Sequence, residues 1–366
     1  MHWYEVNSPE AMDTPALLVY PDRVKENIRQ AILMAGHSDN LRPHVKTHKI
    51  KEVSQLLLAE GIQKFKCATI AEAEMLGMIN APDVLIAHQL TGPKAARLLA
   101  LIERYPYTYF ATLVDNLHTA TILSETFTAA GKSIDLYMDL NVGMNRSGII
   151  PEKGLDLYKA CLALPSIQLV GLHVYDGHLR DTDVAIRKLR SNEAFERATV
   201  LAAEIHAAVG KTMKIVAGGS PSFPTHTHRK GVEFSPGTFV FWDWGYKHMV
   251  PDEPFEYAAL VATSIISIME DNKLCLDLGH KAIAAENPLP RVHFLNAPEA
   301  VPVSQSEEHM VVQVADSSKY QVGELWYGVP VHICPTVALY AEAQVIQDHE
   351  NIQQWLVIAR NRKINI

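Results

Sequence analysis

The sequence predicts an α/β fold, a (β/α)8 TIM-like barrel joined to a C-terminal mostly-β domain, on three observations. Short apolar, β-rich runs alternate with amphipathic helical stretches through the first two-thirds of the chain, as a parallel sheet with crossover helices requires. Roughly eight such strand-and-helix units fall within about 250 residues, the size of a (β/α)8 barrel. After about Asp243 the long helical windows give way to alternating apolar and polar runs, which marks a second domain of different texture.

In chain order, strands are expected at 16–20, 41–45, 65–69, 84–88, 109–114, 135–140, 169–174, 214–216 and 232–234, with helices at 22–35, 70–79, 118–130 and 182–209 between them. No G-x-G-x-x-G follows the first strand, which counts against a doubly wound open sheet. The later runs, 257–268, 273–278, 309–314 and 330–333, read as strands of the second domain. The expected division is a barrel over 14–243 and a β-rich domain over 244–366 that also takes in 1–13.

Composition narrows the class of function. A chain of 366 residues buries at least one full core, and two domains is the working number. With 48% hydrophobic and 20% charged residues it is an ordinary globular composition, far from disorder. A net charge of -8 and the lack of any basic run argue against a nucleic-acid partner, because a phosphate backbone is bound by clustered positive charge. Cys67, Cys161, Cys275 and Cys334 show no CxxC spacing, so neither a disulfide framework nor a ribbon-type zinc site is indicated and a reducing cytoplasm fits. The first ten residues are polar and acidic and no apolar stretch of about 18 residues occurs, so no membrane partner is expected.

The chemistry begins at Arg42-Pro43-His44-Val45-Lys46-Thr47-His48-Lys49, at the end of an expected strand. A lysine at a strand's C-terminal end, partly desolvated and beside other cations, favours its neutral amine and becomes a Schiff-base nucleophile. A basic patch that binds an anion or caps a loop is the alternative reading of the same residues. His332 and Cys334, one residue apart on an expected strand, project to one face. Imidazole and thiolate together suit zinc; an accidental pair is the alternative.

Pro43-His44-Val45-Lys46-Thr47-His48-Lys49 resembles the lysine motif of the D-threonine aldolase and D-serine dehydratase family, fold-type III pyridoxal phosphate enzymes that share their barrel with the alanine racemases. Further matches follow in order: Thr14-Pro15-Ala16, the stretch 139–148 (DLNVGMNRSG), 171–177, Gly218-Gly219-Ser220-Pro221-Ser222 and Ser235-Pro236-Gly237-Thr238. The C-terminal part adds 277–279 (DLG), Ser306-Glu307-Glu308-His309 and 331–336 (VHICPT), so the resemblance spans nearly the whole chain.

The resemblance implies that Lys46 carries pyridoxal 5'-phosphate and, once released, takes the Cα proton as general base. It places Arg146 near the cofactor's phenolate oxygen, where a fixed guanidinium stabilises negative charge, and Tyr175 near its ring or phosphate, a packed barrel tyrosine being the alternative. Gly219 and Ser220, with Gly237 and Thr238 one strand later, offer backbone turns that admit a phosphate, which in this barrel lies after strands seven and eight. His178 and His173 are candidates to assist catalysis or are structural histidines. His332 and Cys334 match the family's metal motif, implying a divalent metal, zinc or else manganese, with coordination positions left for water and substrate oxygens.

The implied substrate is a D-3-hydroxy amino acid. In the family, cysteine at the second metal position goes with dehydratase-like members and aspartate with aldolases, so Cys334 leans toward water elimination from D-serine. Retro-aldol cleavage of D-threonine is the second reading, a racemase the third and a non-catalytic cofactor-binding protein the fourth. Three positions depart from the pattern: Ser235 where racemases carry an arginine facing the pyridine nitrogen, Ala338 in place of asparagine, and Met310 in place of glycine. Related barrels pair head to tail, so a homodimer is expected.

Overall fold

The computed structural model describes residues 1–366. The chain forms two compact units: one of residues 31–46, 54–237 and 361–366, the other of residues 1–30, 47–53 and 238–360. The first strand, β1 (Ala16–Val19), and the helix after it, α1 (Pro21–Ala35), precede the parallel sheet.

That sheet belongs to the first unit and runs in simple sequence order: β2 (Lys64–Cys67), β3 (Asp83–Gln89), β4 (Tyr109–Val114), β5 (Ile134–Leu140), β6 (Ile167–Val174), β7 (Lys214–Ala217) and β8 (Val232–Phe234), all parallel. Helices alternate with the strands: α2 (Lys51–Ala59), α3 (Ile70–Met78), α4 (Lys94–Arg104), α5 (Leu117–Ala129), α6 (Gly154–Cys161), α7 (Val184–Val209) and the short α8 (Phe223–His226). Local chemistry starts and stops them. Thr69 caps α3 and Asn116 caps α5 by accepting backbone N–H groups, while Asp183 starts α7 and Gly210, at φ 72°, ends it.

The expected strand at 41–45 closes this ring by single bridges. Leu41 bridges Phe234 of β8 and His44 bridges Lys66 of β2, both parallel. Arg42 and His44 donate to the carbonyls of Phe234 and Pro236, and Lys66 donates to Pro43. Pro43 has no N–H to continue a ladder, which is why the eighth stave is short. Arg42 pins it: the buried guanidinium makes a bidentate pair with Asp83 (2.7 and 2.8 Å) and a 2.6 Å bond to Glu233. Leu85, Ala111, Leu113, Tyr137 and Val216 fill the sheet's interior layer.

The run at 16–20, expected as a barrel strand, is instead β1 of the second unit. It pairs antiparallel with β9 (Ala259–Met269). All four residues of β1 are buried, so its hydrophobic pattern carries no information about which sheet receives it. The remaining strands are β10 (Lys273–Leu276), β11 (Val292–Phe294), β12 (Val301–Gln305), β13 (Met310–Gln313), β14 (Leu325–Pro330), β15 (Glu342–Gln347) and β16 (Glu350–Leu356), with helices α9 (Trp244–Met249) and α10 (Ile333–Val337). The sheet order is β12-β13-β10-β9-β1-β15-β16, with β14 joining β9 to β11. Leu276, Met310 and Trp326 anchor one core, and Leu18, Leu260 and Val329 another.

His332 and Cys334 do not share a strand face, contrary to expectation. β14 ends at Pro330, and His332 is the extended residue (φ −136°, ψ 102°) that precedes the first turn of α10. The turn itself brings imidazole and thiol together.

Candidate active site

In the first unit the closing segment ends in a 3-10 turn, Val45–Thr47, that sets Lys46 just past the strand-like bridges. Its backbone N–H donates to His44 Nδ1 at 3.1 Å. The Tyr175 ring, just beyond β6, gathers three cations around it: Arg146 Cζ at 5.0 Å from the ring centroid, Lys66 Nζ at 5.5 Å and Lys46 Nζ at 5.9 Å. All three lie within cation–π range of about 6 Å. Gly177 makes room for this tyrosine, because a Cβ there would overlap the Tyr175 hydroxyl.

Behind the ring runs a buried polar chain. Asp139 Oδ1 lies 2.8 Å from His173 Nδ1, and His173 Nε2 lies 3.4 Å from Lys66 Nζ. Burial works against the Asp139 carboxylate, yet hydrogen bonds from His173, Gln89 and Ser147 hold it below the usual range. Burial and the nearby Lys66 charge lower His173, which is therefore neutral near pH 7. A neutral imidazole that donates Nδ1–H to Asp139 leaves Nε2 as acceptor for Lys66. Burial, then the Lys46 charge, push the Lys66 ammonium down to about 7.

The loop after β7 is organised from beneath. Asp176 accepts the Ser222 hydroxyl and meets His226 Nε2 at 2.8 Å, and Ser222 Oγ in turn accepts the N–H of Gly219 at 3.1 Å. The N–H of Gly218 is taken by the Val174 carbonyl. Gly219 thus contributes closeness more than a donor: a Cβ there would come within 2.9 Å of Tyr175 Cε2. Gly237, after β8, donates to Ser220 Oγ at 3.3 Å, linking the two late-strand turns. Ser235 Oγ, on a residue only 3% exposed, has no protein partner; a buried hydroxyl in that state calls for a ligand acceptor or donor.

His178 sits with its Nε2 side against Gly143, in the loop that carries Arg146. Burial lowers it, so it is neutral, and its Nδ1 is buried without a partner.

In the second unit, Cys334 Sγ lies 3.2 Å from Thr47 Oγ1 and 3.6 Å from Thr238 Oγ1. His332 Nδ1 is bound to Glu286 Oε1 at 2.6 Å. Although burial opposes it, the Cys334 thiol, Asp243 and Glu286 push His332 up to about 9. Buried Asp243 accepts the N–H of Tyr246 and of Ile333, so one carboxylate fixes the starts of α9 and α10; burial pushes it up to about 6. No three His, Cys, Asp or Glu side chains form a ready-made metal cage; His332 and Cys334 are an imidazole and a thiol set side by side.

The structure thus groups Lys46, Arg146 and Tyr175, and links Gly219 to Tyr175 and Ser220 to Gly237. Thr238 joins the Cys334 group. Sequence reasoning missed Lys66, Asp176, Ser222 and Glu286. Lys66 left one signal, a lysine in the middle of a run read as a buried strand.

Comparison with known proteins agrees with this geometry. The family described as "Alanine racemase, N-terminal domain" matches residues 19–243, and that described as "Putative serine dehydratase domain" matches residues 258–346. A D-threonine aldolase of an Arthrobacter species is 27% identical over 95% of this chain and 93% of its own. A D-threo-3-hydroxyaspartate dehydratase of Delftia sp. (strain HT23) is 24% identical over 94% and 97%. The solved structure of D-threonine aldolase from Filomicrobium marinum superposes with a TM-score of 0.88 at 26% identity, covering 96% of each chain. The chain belongs to the alanine racemase-like family that includes the D-threonine aldolases and D-serine dehydratases, and is an enzyme of that family.

Proposed function

We propose that the protein is a pyridoxal phosphate- and divalent metal-dependent lyase of D-3-hydroxy amino acids, and that its reaction is water elimination from D-serine. The observation that carries the reading is the Lys46 amine facing the same tyrosine ring as Arg146. The unpartnered Ser235 hydroxyl and the joined turns at Ser220 and Gly237 fit a ring nitrogen and a phosphate.

When bound, the cofactor supplies an electron sink for the charge left at Cα. Lys46 removes the Cα proton, Arg146 balances negative charge at the ring oxygen, and the joined turns at Ser220 and Gly237 would hold the phosphate. His332 and Cys334 would hold the metal, zinc by the softness of the donors, whose Lewis acidity suits a β-hydroxyl. Elimination removes one proton from Cα and hydroxide from Cβ, which leave together as water; hydrolysis of the product gives pyruvate and ammonia. Cys334 supports elimination through the family pattern. Retro-aldol cleavage is the second reading, favoured by the 27% identical D-threonine aldolase. The four cysteines, none in a disulfide, agree with a cytoplasmic setting, and the family resemblance supports a homodimer.

The test is to load the protein with pyridoxal phosphate and zinc and assay D-serine for pyruvate and D-threonine for acetaldehyde and glycine, with and without chelator. Pyruvate from D-serine that stops on chelation and returns with zinc supports elimination. Acetaldehyde and glycine alone replace it with the aldolase, and activity indifferent to chelation removes the metal from the reaction.

A further inference from the structure

Lys66 is a deeply buried cation of the first unit to which the proposed reaction gives no task. It is 2% exposed, and His173 Nε2 at 3.4 Å is the one hydrogen-bond partner of its ammonium. An ammonium has three N–H donors, so two have nothing in the protein to meet. Burying an under-satisfied cation is costly unless a ligand completes it. Its surroundings name the ligand's charge. Lys46 faces it from the turn after the closing segment, Arg42 from that segment, His173 from β6 with Asp139 of β5 behind, and Asp176 from beyond β6. The two carboxylates already accept hydrogen bonds from His173, Gln89, Ser147, Ser222 and His226. What Lys66 lacks is an anionic oxygen on the side of Lys46 and Tyr175.

Resting on the pyridoxal phosphate reading, we propose that Lys66 is a cofactor-binding residue that donates to the anionic 3-oxygen of the ring and shares it with Arg146. The covalent chemistry of the cofactor favours this atom: the 3-hydroxyl is on the carbon next to the one bearing the aldehyde that a lysine amine takes. A group beside the Lys46 amine and short of an acceptor is therefore suited to the ring oxygen, whereas the phosphate, carried on a methylene at the other carbon flanking the aldehyde-bearing one, falls to the joined turns at Ser220 and Gly237. His173, held by Asp139 with Nε2 as acceptor, accepts a hydrogen bond from one Lys66 N–H and so orients the other two. Lys66 is then a second fixed positive charge on the oxygen, and its charged form is stabilised by loading.

The experiment compares two ligands on the apo-protein: pyridoxal phosphate and its 3-O-methyl ether, which keeps the aldehyde and phosphate and has no anionic oxygen on the ring. Affinities are read by absorbance titration, and attachment to Lys46 by borohydride reduction and peptide mass. Wild type prefers pyridoxal phosphate, and Lys66→Met narrows that preference by roughly ten- to a hundredfold, the worth of a hydrogen bond to a charged group, while the ether binds both proteins alike. Should the Met variant not fold, Lys66→Gln removes the charge and keeps a donor, and the preference narrows in the same direction. An unchanged preference in a folded variant, or no preference in wild type, overturns the assignment of Lys66. If wild type does not take either ligand on Lys46, it is the cofactor reading itself that fails.

Discussion

Asp176 and Ser222 are joined in the fully buried floor of the loop that follows β7, with the Ser222 hydroxyl donating to Asp176 and accepting from Gly219. The carboxylate also meets His226 Nε2 at 2.8 Å, and hydrogen bonds from His226 and Ser222 outweigh burial to keep it below the usual carboxylate range. The loop proposed to offer Ser220 to a phosphate is therefore shaped by a residue 46 positions before Ser222 in the chain. Asp176→Asn keeps the size but loses the charge and one acceptor. We expect pyridoxal phosphate affinity to fall about tenfold, the worth of one charged hydrogen bond, with pyridoxal, which has no phosphate, affected much less. Equal losses for both ligands in equilibrium dialysis contradict a phosphate-loop role.

Arg42 is the clamp of the closing stave. Its guanidinium is 1% exposed and held by Asp83 and Glu233, whose hydrogen bonds and charges outweigh burial and raise it further. Arg42→Met leaves Asp83 without this cation and Glu233 with Lys64 alone. The expected loss is about 3–5 kcal/mol in urea unfolding, the cost of breaking one partner out of a buried pair. A loss no larger than that from removing a solvent-exposed pair such as Lys281 with Glu307, where water already screens the charges, would show the clamp to be dispensable.

These two groups also mark where the sequence is legible and where it is not. The strands at 109–114 and 232–234 have the boundaries their patterns predict, and Lys46, Arg146 and Tyr175, which the structure gathers, are readable because each lies in a stretch that resembles a family motif. The pattern of β1 points to the wrong sheet, since a strand buried on both faces is equally at home in either. Helix α4 escapes the sequence reading despite Leu98 and Leu101 facing the core, its start being capped by no side chain. Lys66, Asp176 and Glu286 are missed for one shared reason: each acts through a partner more than 40 residues away, and that pairing leaves no local pattern.

Lys66 makes apo-protein stability depend on pH in a predictable direction. Its folded value is lowered to about 7 by burial first and Lys46 second, against about 10.4 in an unfolded chain. Between those values the unfolded state binds more protons, so stability rises with pH. Below the folded value both states are charged and the burial penalty is present in full. Lys66→Met should therefore stabilise the apo-protein at acidic pH by a few kcal/mol, at most about 1.4 kcal/mol for each pH unit that separates the folded from the unfolded value. The gain should shrink as the pH rises from about 7 toward 10. Chemical denaturation of both proteins at two pH values checks it, and a gain that grows with pH reverses the assignment.

Glu286 bears on the proposed metal pair, His332 and Cys334, without belonging to it. Its carboxylate holds His332 Nδ1 at 2.6 Å, which fixes the imidazole and leaves Nε2 as the nitrogen that would take a metal. Carboxylates that orient a ligating histidine are typically worth about ten- to a hundredfold in metal affinity. Glu286→Gln should therefore weaken zinc binding by roughly that factor, whereas Cys334→Ala removes a donor and should reduce zinc to background. Cys334→Asp, which restores an anionic donor of harder character, should recover part of the zinc affinity and shift the preference toward manganese. Competition with a chromophoric chelator measures all three. Zinc held by Cys334→Ala as tightly as by wild type would mean that His332 and Cys334 are not the metal pair, whatever their separation in the turn.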